Sequence, residues 1–127
     1  MIKKYVLDSS AILAVLHHEP GSDVAIQRFP DSIVSAVNAA EVLTKLLEKS
    51  NDLDTAIEAF ELLQLDIVDF DYAHATKAAE LRPITKNLGL SLGDRSCIAL
   101  AMLSDATAVT ADKTWKKIKF CPVEVIR

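Results

Sequence analysis

Apolar and polar residues along the chain follow two repeats in turn. Short apolar runs read as strands, and between them lie segments whose apolar residues return every three or four positions, as on one face of a helix. Lys4-Tyr5-Val6-Leu7 reads as the first strand and Ser10 to His17 as the helix behind it. Pro20-Gly21 ends that helix, and a second covers Ser22 to Phe29. Pro30-Asp31 turns the chain into a brief strand, Ser32 to Ser35. From Val37 to Lys49 the pattern is helical, with Ala39, Ala40, Leu43, Leu46 and Leu47 on one face. Past Ser50-Asn51-Asp52, Ala56, Ile57, Ala59, Phe60 and Leu63 mark a helix over Asp54 to Gln64. Leu65 to Phe70 is the third strand. The spacing then predicts a helix over Tyr72 to Leu88, which Pro83 should bend or split. Asp94 to Leu103 is a strongly apolar helix, and Ala106 to Thr110 and Val123 to Ile126 complete the strands.

Strands separated by helices require crossover connections, so the pattern predicts an α/β fold with a mostly parallel sheet of about five strands, covered on both faces. The chain has 127 residues, half of them apolar, which suits one domain over 1–127. No apolar run approaches the ~20 residues of a membrane span. The opening Met1 to Asp8 has two lysines but no apolar stretch of leader length, so the expected location is cytoplasmic. Cys97 and Cys121 lack metal-ligand spacing and read as two reduced, buried thiols.

A net charge of −4 speaks against nucleic-acid binding through a broad basic surface. It does not exclude a nucleic-acid substrate, because cations held by clustered carboxylates reverse the local sign.

In open α/β sheets the ligand crevice lies beyond the C-terminal ends of the strands. Asp8 follows the first strand there and Asp112 lies two residues past the fourth, while Glu41 and Asp94 sit in or at the start of helices. Each has an ordinary alternative. Asp8 and Asp112 could cap the turns after them. Ser91-Leu92-Gly93-Asp94 matches a capping box. Glu41 stands four residues before Lys45, the favourable order for a surface ion pair. Against the alternative for Asp94, its neighbours one helical turn and two turns on are Cys97, Ile98 and Ala101, an apolar face on which a carboxylate is costly unless paired. Gly93 beside it would let a ligand approach the backbone.

Taken together these segments resemble PIN domains. Val6-Leu7-Asp8-Ser9-Ser10-Ala11-Ile12-Leu13 is similar to the family's opening strand and acidic turn, and Asn38-Ala39-Ala40-Glu41-Val42-Leu43 to its second acidic motif. Leu92-Gly93-Asp94-Arg95-Ser96-Cys97-Ile98-Ala99-Leu100-Ala101 resembles the third and Val109-Thr110-Ala111-Asp112-Lys113-Thr114-Trp115 the fourth. Size and layout look most like the VapC toxins of toxin–antitoxin pairs. The resemblance implies a three-layer α/β/α fold in which Asp8, Glu41, Asp94 and Asp112 converge, with Thr110 as a supporting hydroxyl.

The activity it implies is divalent-metal-dependent hydrolysis of RNA phosphodiesters. Carboxylates without a His or Cys companion suit Mg²⁺ or Mn²⁺, and His17, His18 and His74 are too scattered to compete. Asp8 and Asp94 are the expected direct ligands, with Glu41 and Asp112 completing the shell directly or through water. Crowding should raise at least one carboxylate pKa. Arg95, Lys113, Lys116 and Lys117 are candidates for phosphate contacts. The resemblance also implies a VapB-like antitoxin, for whose groove Ile12, Leu13, Leu16, Leu46, Leu47 and Phe60 are candidates, and a homodimer. Two other readings remain: a phospho-acceptor receiver domain using Asp69, Thr110 and Lys119, and a PIN-like scaffold that only binds.

Overall fold

The computed structural model describes residues 3–127; Met1 and Ile2, with which the expected absence of a leader begins, lie outside them. The strands are β1 (Tyr5–Leu7), β2 (Ser32–Ser35), β3 (Asp66–Val68), β4 (Thr107–Thr110) and β5 (Val123–Val125). The α-helices are α1 (Ser9–Leu16), α2 (Ser22–Arg28), α3 (Ala36–Ser50), α4 (Leu53–Glu61), α5 (Tyr72–Thr85) and α6 (Leu92–Leu103). All strand pairs are parallel, and their order across the sheet is β3-β2-β1-β4-β5.

Successive strand residues point to opposite faces, and this alternation builds two cores. Val6, Ile33 and Ala108 face one side, where they pack with Leu81, Leu90, Ile98 and Trp115. Leu7, Val34 and Val109 face the other, against Ile12, Ala25, Val42 and Phe60. The sheet is therefore the middle layer of three, with α5 and α6 on one face and α1 to α4 on the other.

Side chains start most of the helices. Ser35, Asp52, Asp71 and Ser91 each accept a backbone N–H in the first turn of the helix that follows. The Ser91 cap brings α6 forward to Leu92, two residues before the start predicted from its apolar run. Pro83 lies inside α5, which ends two residues later and tightens into a 3-10 turn over Lys86–Leu88. β3 is shorter than its apolar pattern because it is an edge strand, paired only at Asp66, Ile67 and Val68 with β2.

A long-range contact ties α2 to edge strand β5. Arg28 of α2 holds Glu124 of β5 with two hydrogen bonds of 2.8 and 2.9 Å, and its guanidinium lies 5.1 Å from the centre of the Tyr5 ring. Cys97 and Cys121 are buried and unpaired, and burial raises both thiol pKa values. Among the described residues no helix is long and apolar enough to cross a membrane.

Candidate active site

After β1 the chain passes to β2 and β3 on one side, then returns to place β4 on the other side of β1. The crevice of such a sheet opens where the strand order reverses, beyond the C-terminal ends of β1 and β4. Asp8 leaves the first of these strands and Thr110 ends the second.

Asp8 is 2% exposed. It stands at the N-cap position of α1, yet its side chain caps nothing; the backbone carbonyl alone accepts from Ala11 and Ile12. Its Oδ2 instead accepts from the hydroxyls of Ser10 (2.6 Å) and Thr110 (2.9 Å). Ser10 Oγ also accepts from the Ala111 N–H, and Thr110 Oγ1 from that of Asp112, both at 3.0 Å. Two hydroxyls thus clamp one oxygen, while Oδ1 is buried with no hydrogen-bond partner among the described residues. Burial pushes the Asp8 pKa up to about 6; the Asp94 and Glu41 charges add to the rise, and the two hydroxyls oppose it.

Glu41 does not make the surface pair predicted with Lys45, whose ion pair is with Glu48 at 3.8 Å. Its Oε1 accepts 2.9 Å from Nδ2 of Asn38, one turn earlier in α3. The same Nδ2 donates to the carbonyl of Gly93 at 3.0 Å. Gly93 admits close approach, as expected, but the group that approaches it is the Glu41 carboxylate.

Asp94 forms the predicted capping box: Ser91 Oγ accepts from its N–H, and its Oδ2 accepts from the Ser91 N–H at 3.0 Å. Asp112 is a cap too, its Oδ1 accepting from Thr114 at 2.9 Å at the start of a 3-10 turn over Lys113–Lys117. Asp112 is exposed and reaches Asp8 only through Thr110. The charges of Glu41 and Asp94 therefore lie near enough to repel that of Asp8, which Thr110 links to the exposed Asp112. Sequence reasoning missed Ser10 and Asn38. Asn38 carried a signal, since a residue three before Glu41 lies on the same helical face.

Among the described residues no three of His, Cys, Asp and Glu stand at metal-ligand spacing. A ready-made protein cage is thus absent. The donor set is nonetheless all oxygen, with one carboxylate oxygen of Asp8 buried and unsatisfied. That suits a hard cation which keeps most of its water, as Mg²⁺ does when one or two carboxylates bind it.

The remaining candidate residues lie in varied surroundings. Arg95 Nη1 donates to the Ala78 carbonyl at 2.9 Å, tying α6 to α5, whereas Lys113, Lys116 and Lys117 are exposed. His17 and His18 are exposed at the end of α1, and His74 packs edge-on against Phe70. The receiver reading fails on topology: Asp69 follows edge strand β3, with β2 between it and β1, and Lys119 is exposed before β5. A mostly apolar groove of about 330 Å³ lies between α3, α4 and β3, lined by Ala39, Leu43, Ile57, Phe60, Leu65 and Ile67, with Glu61 its one charged residue. Of the six residues expected to line a groove, Phe60 alone lines this one, and Ile12 is fully buried in the core.

Comparison with known proteins agrees with this fold. The family model described as PIN domain matches residues 5–120. No curated protein sequence matches. The fold is similar to a chain of VapBC2 from Rickettsia felis bound to a DNA fragment from its promoter (TM-score 0.74, 21% identity, 95% of this chain and 97% of that one). It is similar to a chain of DNA-bound VapBC from Salmonella typhimurium (TM-score 0.76, 17% identity, 98% of each chain). A chain of FitAcB from Neisseria gonorrhoeae gives a TM-score of 0.72 at 23% identity, covering 94% of this chain and 95% of that one.

Proposed function

The chain belongs to the PIN-domain family, and we propose that it is a divalent-metal-dependent endoribonuclease, the VapC-like toxin of a toxin–antitoxin pair. The observation that carries the reading is the buried, unpartnered Oδ1 of Asp8 at the strand-order reversal, close enough to Asp94 and Glu41 for both charges to raise its pKa. Such an oxygen is costly unless a cation or donor joins it.

Asp8 and Asp94 are the proposed direct ligands of Mg²⁺ or Mn²⁺, with Glu41 and Asp112 acting through water or completing the shell. A divalent ion there supplies positive charge against the phosphodiester and acidity to water. The chain's own part is to orient the oxygens. Ser10 and Thr110 hold Oδ2 of Asp8 and leave Oδ1 as the oxygen free to take a cation. The capping box fixes Oδ2 of Asp94. Without a cation Asp8 keeps its proton up to about pH 6, so cation and proton compete for one carboxylate. Lys113, Lys116 and Lys117, on the turn after Asp112, supply phosphate contacts from the rim.

A VapB-like antitoxin is the proposed protein partner, with the apolar groove between α3, α4 and β3 as its seat. The proposal also includes a homodimer, a cytoplasmic location and one domain spanning the chain.

The test is cleavage of a mixed, structured RNA pool by purified protein in Mg²⁺, Mn²⁺ or EDTA, with Asp8→Asn as control. Metal-dependent products that vanish in the variant support the nuclease. Folded protein that cuts nothing under any condition leaves a PIN-like binding scaffold.

A further inference from the structure

Glu41 reaches the site from α3, and its carboxylate lies against the first turn of α6. A Cβ built on Gly93 would fall onto that carboxyl group, 2.5 Å from its Cδ and its Oε1. Backbone conformation does not call for glycine here, because Gly93 lies within α6 and has no positive φ. Helix interiors favour alanine over glycine. The missing side chain makes room for Glu41 and does nothing else.

Asn38 holds the other side of this contact. It is fully buried, and its Nδ2 donates both to Glu41 Oε1 and to the Gly93 carbonyl. Both partners are acceptors, so the NH₂ end must face them and the amide carbonyl must face away. That carbonyl oxygen is buried without a partner. The amide is thereby committed to a bridge between α3 and α6 at the cost of leaving its own acceptor unsatisfied.

We infer that Asn38 and Gly93 are positioning residues, which together seat Glu41 against α6 beside Asp94 and so set the distance between carboxylates carried by different helices. The inference rests on the reading of this cluster as a cation site. Neither residue carries charge, and each bears on the cation through Glu41.

Mn²⁺ titration calorimetry on the full chain tests this, with thermal melting alongside. Gly93→Ala should weaken Mn²⁺ binding about tenfold or more, the scale of losing an outer-shell partner, while the variant melts no lower than wild type. Glu41→Ala should weaken binding as well. In the Glu41→Ala background, Gly93→Ala should change nothing further, because the group it displaces is gone. Asn38→Ala should show the same dependence on Glu41, which keeps the test alive if Gly93→Ala misfolds. Wild-type affinity in Gly93→Ala, or losses that multiply in the double variant, would overturn the inference. Should wild type bind no Mn²⁺, the cation reading fails by itself. The seat is then read from the Asn38 carboxamide NMR signals, which must move in both Glu41→Ala and Gly93→Ala; unmoved signals refute it.

Discussion

Thr110 donates its hydroxyl hydrogen to Oδ2 of Asp8, 2.9 Å away and 102 residues distant in sequence, while accepting the backbone N–H of Asp112. One hydroxyl thus joins the most buried acid of the site to the most exposed. Thr110→Val keeps the shape and removes both bonds. The Asp8 pKa should then rise above its present value of about 6. Mn²⁺ affinity should fall roughly tenfold, with about 1 kcal/mol lost from stability. NMR titration of the Asp8 carboxyl and calorimetry check the pair of effects.

Asp8 should make the metal-free protein less stable at neutral pH. Its carboxyl pKa is raised from 3.8 to about 6 on folding, so the folded state binds the proton more tightly than the unfolded chain. Stability therefore falls as pH rises from 3.8 towards 6 and stays low above that. Asp8→Asn removes the penalty. In EDTA above pH 6 the variant should exceed wild type by at most about 3 kcal/mol, with the difference shrinking to nothing near pH 4. Chemical denaturation across that range measures it, and equal stabilities at pH 7.5 would contradict the assigned shift. Asp8→Asn should also abolish cleavage.

Charge reversal on the turn after Asp112 should weaken RNA binding without touching the acids. For Lys116→Glu the slope of log affinity against log salt should flatten by about 1. Lys113 and Lys117 should behave alike, whereas Arg95→Ala should lower stability instead, because its guanidinium binds the Ala78 carbonyl. An unchanged slope for Lys116→Glu removes that residue from the RNA path.

Arg28 and Glu124 should matter to folding and not to chemistry. Their side chains are 29% and 28% exposed, so screening by water should keep the coupling in a double-mutant cycle small despite its two-pronged geometry. Arg28 also holds the Glu124 pKa below its usual value. That contribution is present above the ordinary carboxylate range and is lost as pH falls through the lowered value. Urea unfolding of the two single variants and the double variant gives the coupling, and RNA cleavage should be unaffected.

The groove between α3, α4 and β3 offers a clean separation of partner from substrate. Ile67, 39% exposed on edge strand β3, lines it, and none of the four site acids does. Ile67→Asp should weaken antitoxin binding by at least tenfold, about 1.4 kcal/mol, and leave Mn²⁺ affinity intact. Pull-down with the cognate antitoxin decides this, and full retention would place the docking surface elsewhere.

Much of the fold could be read from period alone. The 3.6 and 2 repeats separate cleanly in Val37 to Lys49 and in Val6-Leu7, whose alternate residues serve opposite cores. Asp8, Asp94 and Asp112 were legible from their places after strands and at a helix start, Glu41 only through the resemblance to the family, and the Ser91 capping box from its spacing. What escaped was contact between distant segments. Nothing near Gly93 announces that its neighbour will be Glu41, 52 positions earlier, so the glycine read as an opening for a ligand. Ser10 read as one more helix residue because its partners Thr110 and Ala111 arrive a hundred positions later. The bond from Arg95 to Ala78 was equally invisible, since a basic residue beside an acid suggests substrate before it suggests a helix clamp.

The order of strands in the sheet also sets a timetable. β1, β2 and β3 are neighbours and can pair early in synthesis, but the place on the far side of β1 waits for β4. Until then Asp8 lacks its Thr110 clamp, and Asp94 has only just been made. A growing chain therefore stands beside the ribosome, itself largely RNA, without an oriented Asp8 until β4 has been made.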